Sequence, residues 1–107
     1  MVDMIVTTGN EVPGKKNFKI LGLVRGNTVR ARNMRRDIGA GFKSMIGGEV
    51  KTYTDMTRDS REEAYNRMIN NAIDLKADAI IGVRFATSMV MNGASEMLAY
   101  GTAIKFK

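Results

Sequence analysis

The stretch AIIGVRFATSMVM-NG-ASEMLAYGTAIKF, residues 79–106, predicts a β-hairpin. Two runs rich in apolar and β-favouring residues flank the dipeptide Asn92-Gly93. Asn-Gly is the strongest short-range signal for a two-residue hairpin loop, because a type I′ turn needs positive φ at both of its central residues. We therefore predict a type I′ turn at this dipeptide, with residues 91 and 94 opposite each other.

A two-residue loop determines which residues of the two strands pair and therefore which residues share a face. One face of the predicted hairpin carries large, mostly apolar side chains, and its pairs are Ile81 with Ile104, Val83 with Thr102, Phe85 with Tyr100, and Thr87 with Leu98. The opposite face carries small side chains around one arginine, and its pairs are Gly82 with Ala103, Arg84 with Gly101, and Ala86 with Ala99.

The residues before the hairpin predict two strands and two helices. Residues 2–8 and 18–29 are rich in β-favouring residues, and Pro13-Gly14 between them has the residue order of a type II turn. Residues 59–76 carry an apolar stripe opposite charged residues, which is typical of an amphipathic helix. Apolar residues at helical spacing in the glycine-punctuated segment 37–46 indicate a second, short helix.

Two further features are predicted for the long helix. Thr57 or Asp59 is a plausible N-cap, since a side-chain oxygen there can accept a hydrogen bond from a free backbone N–H of the first turn. Glu63 and Arg67 are four residues apart in the order that favours an ion pair along the helix surface.

The order of these elements, β-β-α-α-β-β, predicts an α+β fold. The simplest arrangement is an antiparallel sheet with one long and one short helix packed on it. The chain has 107 residues and shows no linker, repeat or low-complexity segment, so residues 1–107 are expected to form a single domain.

Composition excludes several kinds of chemistry. The chain contains no Cys and no His, which removes thiolate nucleophiles, disulfides, the commonest general base and the best ligands for soft metals. No apolar run approaches the roughly 20 residues of a membrane-spanning helix, and no signal peptide is visible. The cytoplasm is therefore the expected location, and no membrane partner is expected.

Four arginines form a candidate anion-binding cluster: Arg30, Arg32, Arg35 and Arg36. Guanidinium groups bind phosphates and carboxylates through paired hydrogen bonds. A formal net charge of +6 makes a nucleic-acid partner reasonable but does not favour it, because a basic balance also keeps a small protein soluble. A solvated strand edge or ion pairs between subunits explain the same cluster more simply.

Catalytic and cofactor motifs are absent from the sequence. The glycines of residues 39–48 match neither the dinucleotide-binding fingerprint nor a phosphate-binding loop, and the serines have no His partner. We therefore expect no enzymatic activity and no cofactor. Thioether binding of copper(I) by Met89, Met91 and Met97, or metal binding by oxygen ligands, is kept as an alternative, with Met97 expected on the opposite face. Filling core or interface space is the simpler role for these methionines.

Several motifs together resemble the YbjQ-like family. They are IVTT (5–8), VRARN (29–33), RDIGAG (36–41), IGGE (46–49), SREEA (60–64), ADAIIGVRF (77–85) and EMLAYGTA (96–103). The resemblance covers nearly the whole chain. It implies a heavy-metal-binding description without a defined ligand motif, and a dodecin-like subunit that assembles into a ring-shaped pentamer.

The resemblance also suggests what covers the small-residue face of the hairpin. One amphipathic helix covers only one face of a sheet, so the other needs the short helix or a neighbouring subunit. The candidate subunit interface is Gly82, Arg84, Ala86, Ala99, Gly101 and Ala103. The sequence thus predicts a homo-oligomeric binding or scaffold protein whose ligand is unknown, and the resemblance implies that the oligomer is a pentamer.

Overall fold

The computed structural model describes residues 4–31 and 51–107. The predicted short helix at residues 37–46 lies outside them. The described residues form β1 (Ile5–Val6), β2 (Phe18–Ala31), α1 (Lys51–Asp74), β3 (Ala79–Met91) and β4 (Ala94–Phe106). The predicted α+β class is confirmed.

The four strands form one sheet in the order β1-β3-β4-β2. The hairpin strands β3 and β4 are antiparallel, and so are β4 and β2. Strand β1 runs parallel to β3, with Ile5 opposite Ala79. The sheet is therefore mixed, and the prediction of a purely antiparallel sheet is wrong. The reason is that β4 occupies the place beside β2, so that β1 reaches the sheet at its other edge.

The hairpin turn lies where the sequence predicts it, with Met91 opposite Ala94. Gly93 has φ 82°, but Lys76 is the only non-glycine residue with positive φ in the part of the chain that the structure describes. Asn92 therefore lacks the positive φ that a type I′ turn requires, and that assignment is wrong. One positive φ, at Gly93, is common to a type II turn and to a type I turn followed by a bulge glycine.

The predicted register holds only at the turn. Irregularities between Met89 and Met91 and between Ile81 and Arg84 each shift the pairing by one residue. The observed pairs include Phe85 with Ala99, Ala86 with Leu98, Arg84 with Tyr100, and Ile81 with Thr102. The predicted pairs are therefore wrong beyond the turn, because each bulge inserts an extra residue that the alternating pattern of a strand does not reveal.

Helix α1 begins at Lys51, eight residues before the predicted start. Thr57 and Asp59 lie inside the helix, so neither is its N-cap. The first two turns have no clear apolar stripe, and the amphipathic pattern on which the prediction rested begins only after them. At the other end, Lys76 adopts φ 61°, and the N–H groups of Lys76 and Ala77 donate to the carbonyls of Ile73 and Ala72 at 2.8 and 3.1 Å. These two bonds form a Schellman motif, with lysine at the position that glycine usually occupies.

The main core lies between α1 and the face of the sheet formed by β2, β4 and β3. Its buried residues are Val24, Ala64, Met68, Ala72, Ile80, Val83, Ala99 and Ala103. Gly26 lies directly beneath the helix. A Cβ built there would be 2.6 Å from the Cβ of Arg67, and it would come closer still to the Ala64 carbonyl and the Met68 amide. The missing side chain at Gly26 is therefore what lets the helix approach the sheet.

A second, smaller cluster lies on the opposite face of the sheet, near the ends of the strands farthest from the hairpin turn. Its buried residues are Val12, Ala79, Ile81 and Ile104. The loop before β2 reaches this cluster through Val12. The Lys15 N–H donates to the Val12 carbonyl at 3.0 Å across Pro13-Gly14, and Gly14 has φ 78°, which confirms the predicted turn.

No helix in the part of the chain that the structure describes is both long enough and apolar enough to cross a bilayer.

Candidate functional site

The six residues of the predicted subunit interface do not lie on one face. Ala99, Gly101 and Ala103 are buried beneath α1 of the same chain. Arg84 and Ala86 are exposed, and they pair with Tyr100 and Leu98 on the other face of the sheet. Gly82 is half-buried, and its N–H donates to the Gly9 carbonyl at 2.7 Å. The bulges between β3 and β4 explain the difference, because each one exchanges the faces of the residues beyond it.

The outer edge of β2 is protected by side chains of α1. The Arg25 N–H donates to Asn71 Oδ1 at 3.2 Å, and the Asn27 carbonyl accepts a hydrogen bond from Arg67 at 2.6 Å. A partner strand that approached β2 here would have to displace both helix side chains. Covering an edge in this way is a common means of preventing strands of different chains from pairing.

The outer edge of β3 has no such protection over most of its length. Strand β1 and the residues that follow it pair with β3 only as far as Val83, through the hydrogen bond from the Val83 N–H to the Thr7 carbonyl at 3.0 Å. No described strand lies beyond residues 84–91, which we call the free edge. All eight residues of the free edge are exposed. Its large apolar members are Phe85 (47% exposed), Met89 (72%), Val90 (52%) and Met91 (66%).

Of the four arginines in the predicted anion-binding cluster, only Arg30 lies among the described residues. Arg30 forms an ion pair with Glu63 Oε2 at 2.5 Å, and Glu63 Oε1 pairs with Arg67 at 2.5 Å. The predicted pair of Glu63 and Arg67 is confirmed. A phosphate that bound Arg30 would have to compete with Glu63. Arg32, Arg35 and Arg36 lie outside the described residues, so the anion-binding cluster stays a prediction.

A cavity of about 300 Å³ lies between the hairpin tip and α1. Met89 and Met97 both line it, together with Arg30, Ser60 and Glu96. The prediction that Met97 points to the face opposite Met89 is wrong, again because of the register shift near the turn. The two thioethers add soft atoms to a lining that also includes the hydroxyl-bearing Ser60 and the charged Arg30.

Neither the composition nor the described residues fit a heavy-metal site of the usual kind. The whole chain has no Cys and no His. Among residues 4–31 and 51–107, no three carboxylates come close enough to hold a metal ion together. Strong binding of zinc or copper(II) depends on thiolate or imidazole ligands.

Calorimetric titration with zinc is therefore expected to show only weak, non-stoichiometric binding, of the kind that scattered surface carboxylates produce. A second titration with magnesium is the control, because an ordinary acidic surface distinguishes little between the two cations. A stoichiometric zinc site of sub-micromolar affinity would contradict this expectation.

These observations define a class of protein: a small α+β domain whose described residues form one helix packed across a mixed four-stranded sheet that ends in a free strand edge. A family model described as "Putative heavy-metal-binding", that of the YbjQ family, matches residues 4–107. The chain belongs to this family, as the motifs of the sequence predict.

Several relatives match over nearly their whole length. A UPF0145 protein of Methanoculleus marisnigri is 61% identical over 102 residues, which are 95% of each chain. A UPF0145 protein of Archaeoglobus fulgidus is 52% identical over 105 residues, which cover 98% of this chain and 97% of that one. A UPF0145 protein of Thermosipho africanus is 49% identical over 104 residues, which cover 97% of this chain and 96% of that one.

A solved structure shares the fold. It is the crystal structure of a protein with unknown function from Pediococcus pentosaceus that belongs to the DUF74 family. Its TM-score is 0.70 at 23% sequence identity, and the match covers 97% of this chain and 98% of that chain. At this identity the likeness extends to the fold alone.

Proposed function

We propose that the chain acts as a homo-oligomeric binding or scaffold protein, assembled into a pentameric ring, and that it does not act as an enzyme. The free edge of β3 is the observation that carries this proposal. A strand edge with unpaired N–H and C=O groups is a template for pairing with another chain. In this fold, helix side chains protect the edge of β2, whereas the free edge has no such cover among the described residues.

The side chains of the free edge support the same conclusion. Phe85, Met89, Val90 and Met91 are between 47% and 72% exposed. Full burial of one side chain of this size contributes about 1.5–3 kcal/mol, so an added strand that covers several of them gains apolar burial as well as backbone hydrogen bonds. A partner strand is thus favoured over a small ligand at this position.

A second copy of the chain is the proposed occupant of the free edge. Rings form when one surface patch meets a different patch on the next copy and the rotation closes. The free edge is suited to be one of these two patches, because nothing in the described part of the chain pairs with it. The number of five subunits comes from the family resemblance.

Light scattering coupled to size exclusion tests the assembly. The expected mass is five times the 11.8 kDa of one chain. Replacing Val90 with lysine places a charge on the free edge, and we expect this variant to elute mainly as a monomer with an unchanged circular dichroism spectrum. The control is Ile20→Lys, which adds the same charge to an exposed position (65%) on β2, far from the hairpin tip.

Two outcomes would contradict the proposal. One is a wild-type mass near that of a single chain at working concentration. The other is a Val90→Lys variant that assembles as the wild type does while Ile20→Lys dissociates, which would place the contact at the other end of the sheet.

A further inference from the structure

The sheet face opposite α1 carries a row of two arginines and a tyrosine. We call this surface the open face. The register places Arg25 of β2 and Arg84 of β3 on either side of Tyr100 of β4. Ala99 and Gly101 are buried under α1, so Tyr100 points to the opposite side by the alternation of a strand. Adjacent strands are about 4.8 Å apart, so the two arginine backbones lie about 10 Å apart with the tyrosine between them.

Both arginines are exposed, and neither pairs with a carboxylate among the described residues. Arg84 donates from one nitrogen to the carbonyls of Thr8 and Val83 at 2.9 and 2.8 Å. These bonds hold its guanidinium in place and leave the other donors of the group for a ligand. Arg84 is therefore a positioned cation, and Arg25 is an exposed one on the other side of the ring.

A further cation lies on the same side of the sheet. Phe106 follows Tyr100 by six residues on β4, and so it shares the face of Tyr100 at a distance of about 20 Å. The Lys15 ammonium lies 5.3 Å from the centroid of the Phe106 ring. A cation held over an aromatic ring is kept close to the surface. The one carboxylate that the register places on this face of β4, Glu96, accepts a hydrogen bond from Asn27 at 3.0 Å.

We propose that the open face binds single-stranded nucleic acid. A base stacks on Tyr100, while Arg25, Arg84 and Lys15 hold phosphates on either side of it. Tyr100 is half-buried. Basic side chains beside an accessible aromatic ring are the combination by which proteins bind single strands without reading sequence. The net charge of +6 agrees with this partner. A duplex fits less well, because its bases are stacked inside and cannot reach the ring.

This inference does not depend on the proposed assembly and differs from the anion-binding cluster predicted around Arg30. The free edge of β3 and the open face share only Arg84, and Val90→Lys tests the assembly while Tyr100→Ala tests the open face, so each proposal can fail in experiment while the other succeeds.

Fluorescence anisotropy with a labelled twelve-nucleotide oligo(U) tests the proposal on the full-length protein. Binding is expected at about 50 mM salt, and three phosphate contacts predict a loss of roughly twentyfold in affinity at about 200 mM salt. An unlabelled duplex of the same length should compete poorly with the oligo(U).

Variants of Arg25, Tyr100 and Arg84 separate the contribution of base stacking to binding from the contribution of charge. Tyr100→Ala should weaken binding by about fivefold to a hundredfold, as the loss of one stacked base does, whereas Tyr100→Phe should bind as the wild type does. Arg25→Gln and Arg84→Gln should each weaken binding and also reduce its dependence on salt. Arg61→Gln is the matched control, because it removes the same charge from an exposed position on α1.

Three results would overturn the proposal. The first is no binding at about 50 mM salt, conditions under which electrostatic binding is strong. The second is an equal loss in Arg61→Gln and Arg25→Gln, which would show attraction by net charge alone. The third is a loss confined to Arg30→Gln, which would place the nucleic acid at the arginine cluster instead.

Discussion

Replacing Gly26 with alanine is expected to lower the free energy of unfolding by about 3 kcal/mol or more. The new methyl group would overlap the helix, with the Cβ of Arg67 only 2.6 Å away and the backbone of Ala64 and Met68 closer still. Backbone atoms of a helix cannot rotate aside as the end of a side chain can, so α1 must move away from the sheet. Because natural domains are stable by only about 5–15 kcal/mol, this is a large share of the total.

Urea denaturation followed by circular dichroism measures the effect, and Gly9→Ala is its control. A Cβ at Gly9 would meet Thr7 Oγ1 at 3.5 Å, which is ordinary contact, and Gly9 is not among the described glycines with positive φ. We expect Gly9→Ala to change stability by less than about 1 kcal/mol. If Gly26→Ala and Gly9→Ala unfolded at the same urea concentration, α1 would not lie as close to Gly26 as the structure shows.

Replacing Met68 with alanine is expected to destabilise the protein by about 2–5 kcal/mol. Met68 is completely buried and is one of the largest side chains in the core between α1 and the sheet. Truncation removes apolar contacts from both layers and leaves a cavity that surrounding residues fill only in part.

The matched control for Met68→Ala is Ile73→Ala, which truncates a side chain on the same helix. Ile73 is 37% exposed, so its truncation removes less buried surface, and alanine favours the helix more than isoleucine does. We expect a change below about 1 kcal/mol in the urea experiment. A Met68→Ala variant as stable as Ile73→Ala would show that the core is not packed around Met68.

If the proposed ring assembly and the proposed nucleic-acid binding are both correct, assembly should strengthen binding. A ring of identical subunits carries several copies of the open face, so one long strand of nucleic acid could bind more than one subunit. The second contact would then be intramolecular, and the overall affinity would exceed that of one face. Comparing the assembled wild type with Val90→Lys on a long and on a short oligo(U) would measure this gain, since only the long one can bridge subunits.

Much of the candidate site could not be predicted from the sequence. The arginine run and the methionines near the turn were visible, but the row of Arg25, Tyr100 and Arg84 was not. Arg25 is 75 residues from Tyr100 in the chain, and Arg84 is paired with Gly101 in the register predicted from the turn. The row appears only once β2 lies beside β4 and the bulge between Met89 and Met91 has moved Arg84 opposite Tyr100.

The sequence by itself determined the hairpin turn, the α+β class, the buried stripe of Ala64, Met68 and Ala72, and the pair of Glu63 and Arg67. These features depend on residues close together in the chain, where turn geometry and helical spacing act directly. Only the tertiary structure decided the parallel placement of β1, the two bulges and therefore which hairpin face lies under α1. Each of these depends on contacts between distant residues. A single extra residue in a strand exchanges its faces, because strand side chains alternate with a period of two.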